Sequence, residues 1–137
     1  MKLASVSTEQ APAAIGPYSQ AIWAGPFLFL SGQLGLDPTS GELAGPDVSS
    51  QAPQAMENLV NILKAAGLNT EDVVSVDVYM TNMGQFGEFN SIYSRYFDTH
   101  KPARAAIGVA SLPLGASVEV RCVAYRPLAT EAIGTSL

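Results

Sequence analysis

Two charged residues interrupt stretches otherwise suited to burial: Arg104 in "KPARAAIGVA" and Glu119 in "SVEVRCVAY". A guanidinium is a planar fork that can hold a small carboxylic acid bidentately. A carboxylate facing the same cleft can position or deprotonate a water. Taken singly, each has a plainer reading. Alternation over 117–125 puts Ser117, Glu119, Arg121, Val123 and Tyr125 on one face, opposite the apolar Val118, Val120, Cys122 and Ala124. Glu119 then points away from the core as an ordinary outward charge, and Arg104 alone is a surface residue. If the last two strands form a hairpin matching residue 110 with 117, Glu119 falls opposite position 108. Arg104 then lies four residues, or ~13 Å, further along. The arginine stem spans part of that gap, and a bulge or a neighbouring subunit must supply the rest.

Other candidates carry less. His100, the only histidine, sits beside Lys101-Pro102 just past a helical pattern, and reads as a surface helix terminus. Cys122 lies on the apolar face of its strand and reads as an inert core thiol. One His and one Cys cannot build the common zinc sites. The glycines of "SGQLGLDPTSGE" lack the spacing of a P-loop or a dinucleotide fingerprint, which argues against a nucleotide cofactor.

These residues belong to a chain of 137, expected to be one domain over 1–137 with a tail from about 128 to 137 that frays. Only 14% of residues are charged against 47% hydrophobic, so little charge is available to cover a surface, and an oligomer is favoured. The net charge of −5 and seven scattered basic residues provide no stripe for nucleic acid. A lone cysteine excludes an intramolecular disulfide and favours a reducing, cytoplasmic setting. No run reaches the ~18 apolar residues of a membrane span. "MKLASVSTEQAPAAIG" lacks the apolar core of a signal peptide.

The elements that must position Arg104 and Glu119 follow from hydrophobic period. Residues 1–16 read as a short edge strand and a loop, and "YSQAIWAGPFLFLSGQLG" as a hairpin turning at Ala24-Gly25-Pro26. Val48, Ala52, Ala55, Met56, Leu59, Ile62, Leu63 and Ala66 follow the i, i+3, i+4 rule, with the helix expected to begin close to Pro53 and Gly67 closing it. "VVSVDVYMT" reads as a strand. Residues 86–100 read as a second helix whose stripe of Phe86, Phe89, Tyr93, Tyr96 and Phe97 packs on a sheet. The order ββ-α-β-α-ββ predicts an α+β fold, a mixed sheet with two helices on one face. Its bare face is expected to meet a partner subunit.

The segments "APAAIGPYSQA", "SGQLGLDPTSGEL", "NILKAAGL", "FGEFNSIYSRYF" and "PARAAIGVASLP…VEV" resemble, in order and spacing, the Rid (YjgF-like) family of 2-iminobutanoate/2-iminopropanoate deaminases. The resemblance runs from about Ala11 to Ala124. It implies a chorismate-mutase-like α+β fold and a homotrimer, with sheets forming a central barrel and sites between subunits. Arg104 matches the arginine that binds the substrate carboxylate, and Glu119 the glutamate associated with the attacking water. Tyr18, Ser31, Gly32 and Asn90 match pocket-lining positions, and Ala106 the one whose backbone N–H is used. The implied reaction turns a 2-imino acid into a 2-keto acid and ammonia without metal or organic cofactor. Two positions depart from the pattern: Ala106 stands where many members have Cys, and Arg121 where many carry an acidic residue. Two rivals accompany this reading, a non-catalytic binder of small carboxylates and an RNA-directed translation inhibitor or ribonuclease, as members have been described.

Overall fold

Alternating β-branched residues make β5 (Val73–Met80) and β7 (Val118–Tyr125) the two long strands. They pair antiparallel, burying Val76, Val78 and Met80 beside Val118, Val120, Cys122 and Ala124. In this computed structural model, which describes residues 3–126, they lie inside a seven-stranded mixed sheet. The order is β1 (Ala4–Val6), β2 (Ala21–Ala24), β3 (Phe27–Leu30), β7, β5, β6 (Ala103–Gly108), with β4 (Gln33–Leu34) also pairing to β7. Only the β5–β6 pair is parallel. Helices α1 (Val48–Ala65) and α2 (Phe86–Tyr93) cover one face, and their Met56, Leu59, Ile62, Leu63 and Phe89 complete the core.

The α+β expectation holds, as do the hairpin turning at Gly25 and the strand at 73–80. Three local expectations need correction. The last two strands do not form a hairpin: β7 inserts between β3 and β5, and β6 lies at the sheet edge. Burial explains this, because β7 presents a fully apolar face fit for a central position, whereas β6 is mostly exposed. Helix α1 starts at Val48, five residues before Pro53. The Asp47–Ser50 capping box fixes that start, and the fully buried Val48 and Ala52 lie in its first turns. Helix α2 stops at Tyr93 rather than near residue 100. There the Ser94 hydroxyl bonds back to the Asn90 carbonyl, and Arg95 and Tyr96 switch to i→i−3 bonds. The tail expected from about residue 128 lies outside the described residues.

The opposite sheet face carries no helix. Phe27 and Phe29, on β3, pair with Tyr125 and Val123, and Ile107 pairs with Tyr79. Phe27, Phe29 and Ile107 on this face are 40%, 42% and 51% exposed, with the charged Glu119, Arg121 and Asp77 lying between β3 and β6. Buried amides tie down the loops around this frame. Asn58 donates to the Leu34 and Leu36 carbonyls, while Gln51 accepts from the Ser117 N–H and donates to the Gly45 carbonyl. No helix among the described residues is long and apolar enough to cross a membrane.

Candidate active site

Arg104 sits on β6 in register with Val76 of β5 and, one strand further, with Cys122 of β7. This row faces the helices, so the arginine meets α2. Its Nη1 donates to Asn90 Oδ1 at 2.7 Å. Its guanidinium carbon lies 4.6 Å from the Tyr93 ring centre and 5.3 Å from that of Phe86. Residues 86, 90 and 93 follow helical spacing on α2, so one helix face supplies two aromatic surfaces and an amide acceptor. Each aromatic contact contributes about 0.5–1 kcal/mol at a site this open. Phe89, Tyr93 and Phe97 stack onward into the core with ring centres 5.7 and 4.9 Å apart. Burial raises the Tyr93 phenol pKa, against the opposing Arg104 charge. A concavity of about 450 Å³ opens beside the guanidinium, with Asn90, Ser94 and Lys101 on its walls.

Ala106 follows on the same edge strand. The Val109 N–H bonds to the Met80 carbonyl of β5. Ladder alternation therefore turns the N–H groups of Ile107 and Ala105 toward β5, and those of Ala106 and Arg104 toward the open edge. A backbone donor and a held guanidinium thus share one exposed edge.

Glu119 lies on the other face. It pairs with Leu34 of β4 and Tyr79 of β5 and borders a cavity of about 640 Å³. Tyr18, Ser31, Gly32 and Arg121 border the same cavity, whose rim is apolar through Ile15, Leu36 and Leu114. Gly32 provides room: a Cβ there would stand 2.6 Å from Glu119 Oε2. Its backbone is not left-handed, so close approach rather than conformation requires the glycine. Ser31 Oγ donates to the Ser19 carbonyl and its N–H to the Gln20 carbonyl, fixing the end of β3 against the segment that bears Tyr18. The buried Gln20 amide then clamps Thr8 and Pro12, holding the loop that reaches the rim. Partial burial pushes the Glu119 pKa above its ordinary value, and the Arg121 charge two residues along opposes the shift. Arg121 Nε lies 3.3 Å from Asp77 Oδ2 across the strands.

Of the residues singled out from the sequence, Tyr18, Ser31, Gly32 and Glu119 converge in one cavity, whereas Arg104, Asn90 and Ala106 meet elsewhere. The two groups do not share a cleft within one chain. Arg104 is two strand spacings and three residues from Glu119, about 14 Å between backbones. The odd offset puts them on opposite faces, which corrects the picture of one continuous hairpin. Phe86 and Tyr93 escaped the sequence reading as partners of Arg104, because an aromatic stripe on a helix reads as core. Their spacing around Asn90 was the available signal. Cys122 is buried, and burial pushes its thiol up to about 12, which leaves it inert at neutral pH. His100 Nε2 lies 2.6 Å from the Val73 carbonyl and anchors the approach to β6. Among the described residues no three His, Cys, Asp or Glu side chains gather to hold a metal.

A family model described as endoribonuclease L-PSP matches residues 8–126. A mouse protein named 2-iminobutanoate/2-iminopropanoate deaminase is 50% identical over 88% of this chain and 90% of its own length. Among solved structures, the Escherichia coli YjgF gene product superposes with a TM-score of 0.85 at 37% identity, covering 90% of this chain and 99% of that one. E. coli TdcF with bound serine superposes at 0.86 and 36% identity, with the same coverage.

Proposed function

Since the chain belongs to the Rid (YjgF-like) family, we propose that it hydrolyses reactive 2-imino acids to 2-keto acids and ammonia, at sites completed between copies of the chain. The observation that carries this reading is the division of labour between the two faces. One holds a pre-oriented guanidinium, the other a partly desolvated carboxylate in a cavity, and a pure carboxylate binder has no use for the second. The name of the mouse relative and the serine bound to TdcF both favour a small amino-acid-like ligand.

In this reading Arg104 and the Ala106 N–H of one copy take the substrate carboxylate. Asn90, Phe86 and Tyr93 keep the guanidinium in place, so binding costs little reorganisation. Glu119 of a neighbouring copy orients a water toward C2 of the C=N bond and accepts its proton as the C–O bond forms. That proton passes to the nitrogen to give a carbinolamine, whose O–H proton is then carried to the same nitrogen, so that C=O forms as C–N breaks and the keto acid and ammonia leave. Imine hydrolysis proceeds unaided in water, so orientation and one acid/base group are enough. The sheet face that carries no helix, with Phe27, Phe29 and Ile107 exposed on it, leaves room for the homotrimer that the family resemblance implies.

A coupled assay tests this, with a threonine dehydratase generating 2-iminobutanoate. The wild type should speed release of 2-ketobutanoate and ammonia, and Arg104→Ala should abolish that effect. No acceleration by the wild type refutes the deaminase. Glu119→Gln should lose turnover while still binding 2-ketobutanoate; unchanged turnover removes Glu119 from the mechanism. The family model's description favours a second reading, action on RNA, which the net charge of −5 opposes. Steep salt-dependent RNA binding by the pure protein would revive it.

A further inference from the structure

We propose that Arg121 is a specificity-determining residue of the Glu119 cavity, selecting 2-imino acids that carry a second carboxylate, such as 2-iminosuccinate or 2-iminoglutarate. This rests on the deaminase reading and names the substrate class of the same site.

Arg121 and Glu119 lie two residues apart on one face of β7, about 6–7 Å along the strand. Both border the 640 Å³ cavity, and Arg121 is the only lysine or arginine that does so among the described residues. A four-carbon 2-imino acid has about seven non-hydrogen atoms, which at no more than a water's ~30 Å³ each fill about 200 Å³. Within one chain the cavity therefore leaves room for a neighbour's Arg104 and for substrate atoms beyond the reacting carbon, and Arg121 borders that room. Arg121 is not used up by its neighbour. Its approach to Asp77 is made through Nε, 3.3 Å from Oδ2, and the fork carries two further terminal nitrogens. A guanidinium has five donors in a fixed fork, so it can meet a second carboxylate while Asp77 stays in place. The side chain is 46% exposed and borders the cavity. A protonated imine nitrogen brings its own positive charge toward Glu119. The side-chain carboxylate is then the charge left to be met, and Arg121 stands where it would arrive.

Stable 2-keto acids test the inference by calorimetry, with 2-ketoglutarate compared against 2-ketobutanoate. The wild type should bind 2-ketoglutarate at least about tenfold more tightly. Arg121→Gln should bring the two within about twofold, and Arg121→Lys should keep part of the preference. Asp77→Asn, which removes the negative charge beside Arg121, should enlarge it, and this arm stands even if Arg121→Gln fails to fold. No preference in the wild type, or one unchanged by Arg121→Gln, overturns the inference. The two readings fail separately. Turnover of 2-iminobutanoate without dicarboxylate preference sinks this inference alone. A dicarboxylate preference without turnover of any 2-imino acid sinks the deaminase and leaves Arg121 as a carboxylate-recognising group.

Discussion

Replacing Gly32 with alanine should disable the half of the site that we propose positions water, while leaving the fold intact. The added Cβ would stand 2.6 Å from Glu119 Oε2 and 2.8 Å from its Cδ. Restoring an ordinary C···O contact of ~3.3 Å displaces the carboxylate by roughly 0.7 Å. The clash falls on the far end of a mobile side chain, and alanine tolerates the backbone at this position, so the chain should fold normally. A misplacement near 1 Å at a reacting centre costs on the order of 100-fold. We therefore expect kcat to fall about 30- to 100-fold, or about 2–2.7 kcal/mol of transition-state stabilisation. KM should stay within about threefold, because Arg104 belongs to the other half of the site. The assay is steady-state turnover of 2-iminobutanoate generated in situ, beside a thermal melt and a 2-ketobutanoate titration. A Gly32→Ala enzyme with kcat within about threefold of wild type refutes the reasoning, since the Glu119 carboxylate would then have no need of its observed place.

Other expectations probe the remaining parts. Tyr93→Leu removes an aromatic face from beneath Arg104 and should raise KM about 2- to 5-fold, matching 0.5–1 kcal/mol of cation–π attraction; Tyr93→Phe, which keeps that face, should stay close to wild type in the same kinetics. In the proposed mechanism Glu119 works as a carboxylate, and burial raises its pKa, so activity should be lost as pH falls through a midpoint above the ordinary 4.5. Arg121→Gln, which removes the opposing charge, should move that acid limb to still higher pH in a kcat–pH profile. Asn58→Ala strands the Leu34 and Leu36 carbonyls, and denaturant melts should show a loss of about 1–3 kcal/mol.

The parts of this fold that were legible in the sequence are those where a hydrophobic period meets a single burial environment. β5 and α1 are of this kind, and so is the outward direction of Glu119, because strand alternation decides it within a few residues. The partner of β7 was not legible. Chain proximity favours a hairpin with β6, whereas the uniformly apolar face of β7 needs a central place that only the assembled sheet provides. That long-range choice sets the parity between Arg104 and Glu119, and with it the face on which each emerges. Family resemblance supplied the identity of both residues but not the cradle beneath Arg104. Phe86 and Tyr93 lie on an aromatic stripe whose other members, Phe89 and Phe97, do pack into the core, so one pattern serves two ends.

The central claim is that Arg104 and Glu119, on opposite faces of one chain, work together across two copies. Subunit mixing tests it most directly. Arg104→Ala and Glu119→Gln are each expected to be inactive alone. After the two proteins are unfolded, mixed in equal amounts and refolded, a site can draw Arg104 from one chain and Glu119 from its neighbour. Random assembly restores both groups to roughly one site in four, so about a quarter of wild-type turnover should return. If labelled chains prove to have mixed and turnover stays at the level of the separate variants, the two residues do not form a shared site.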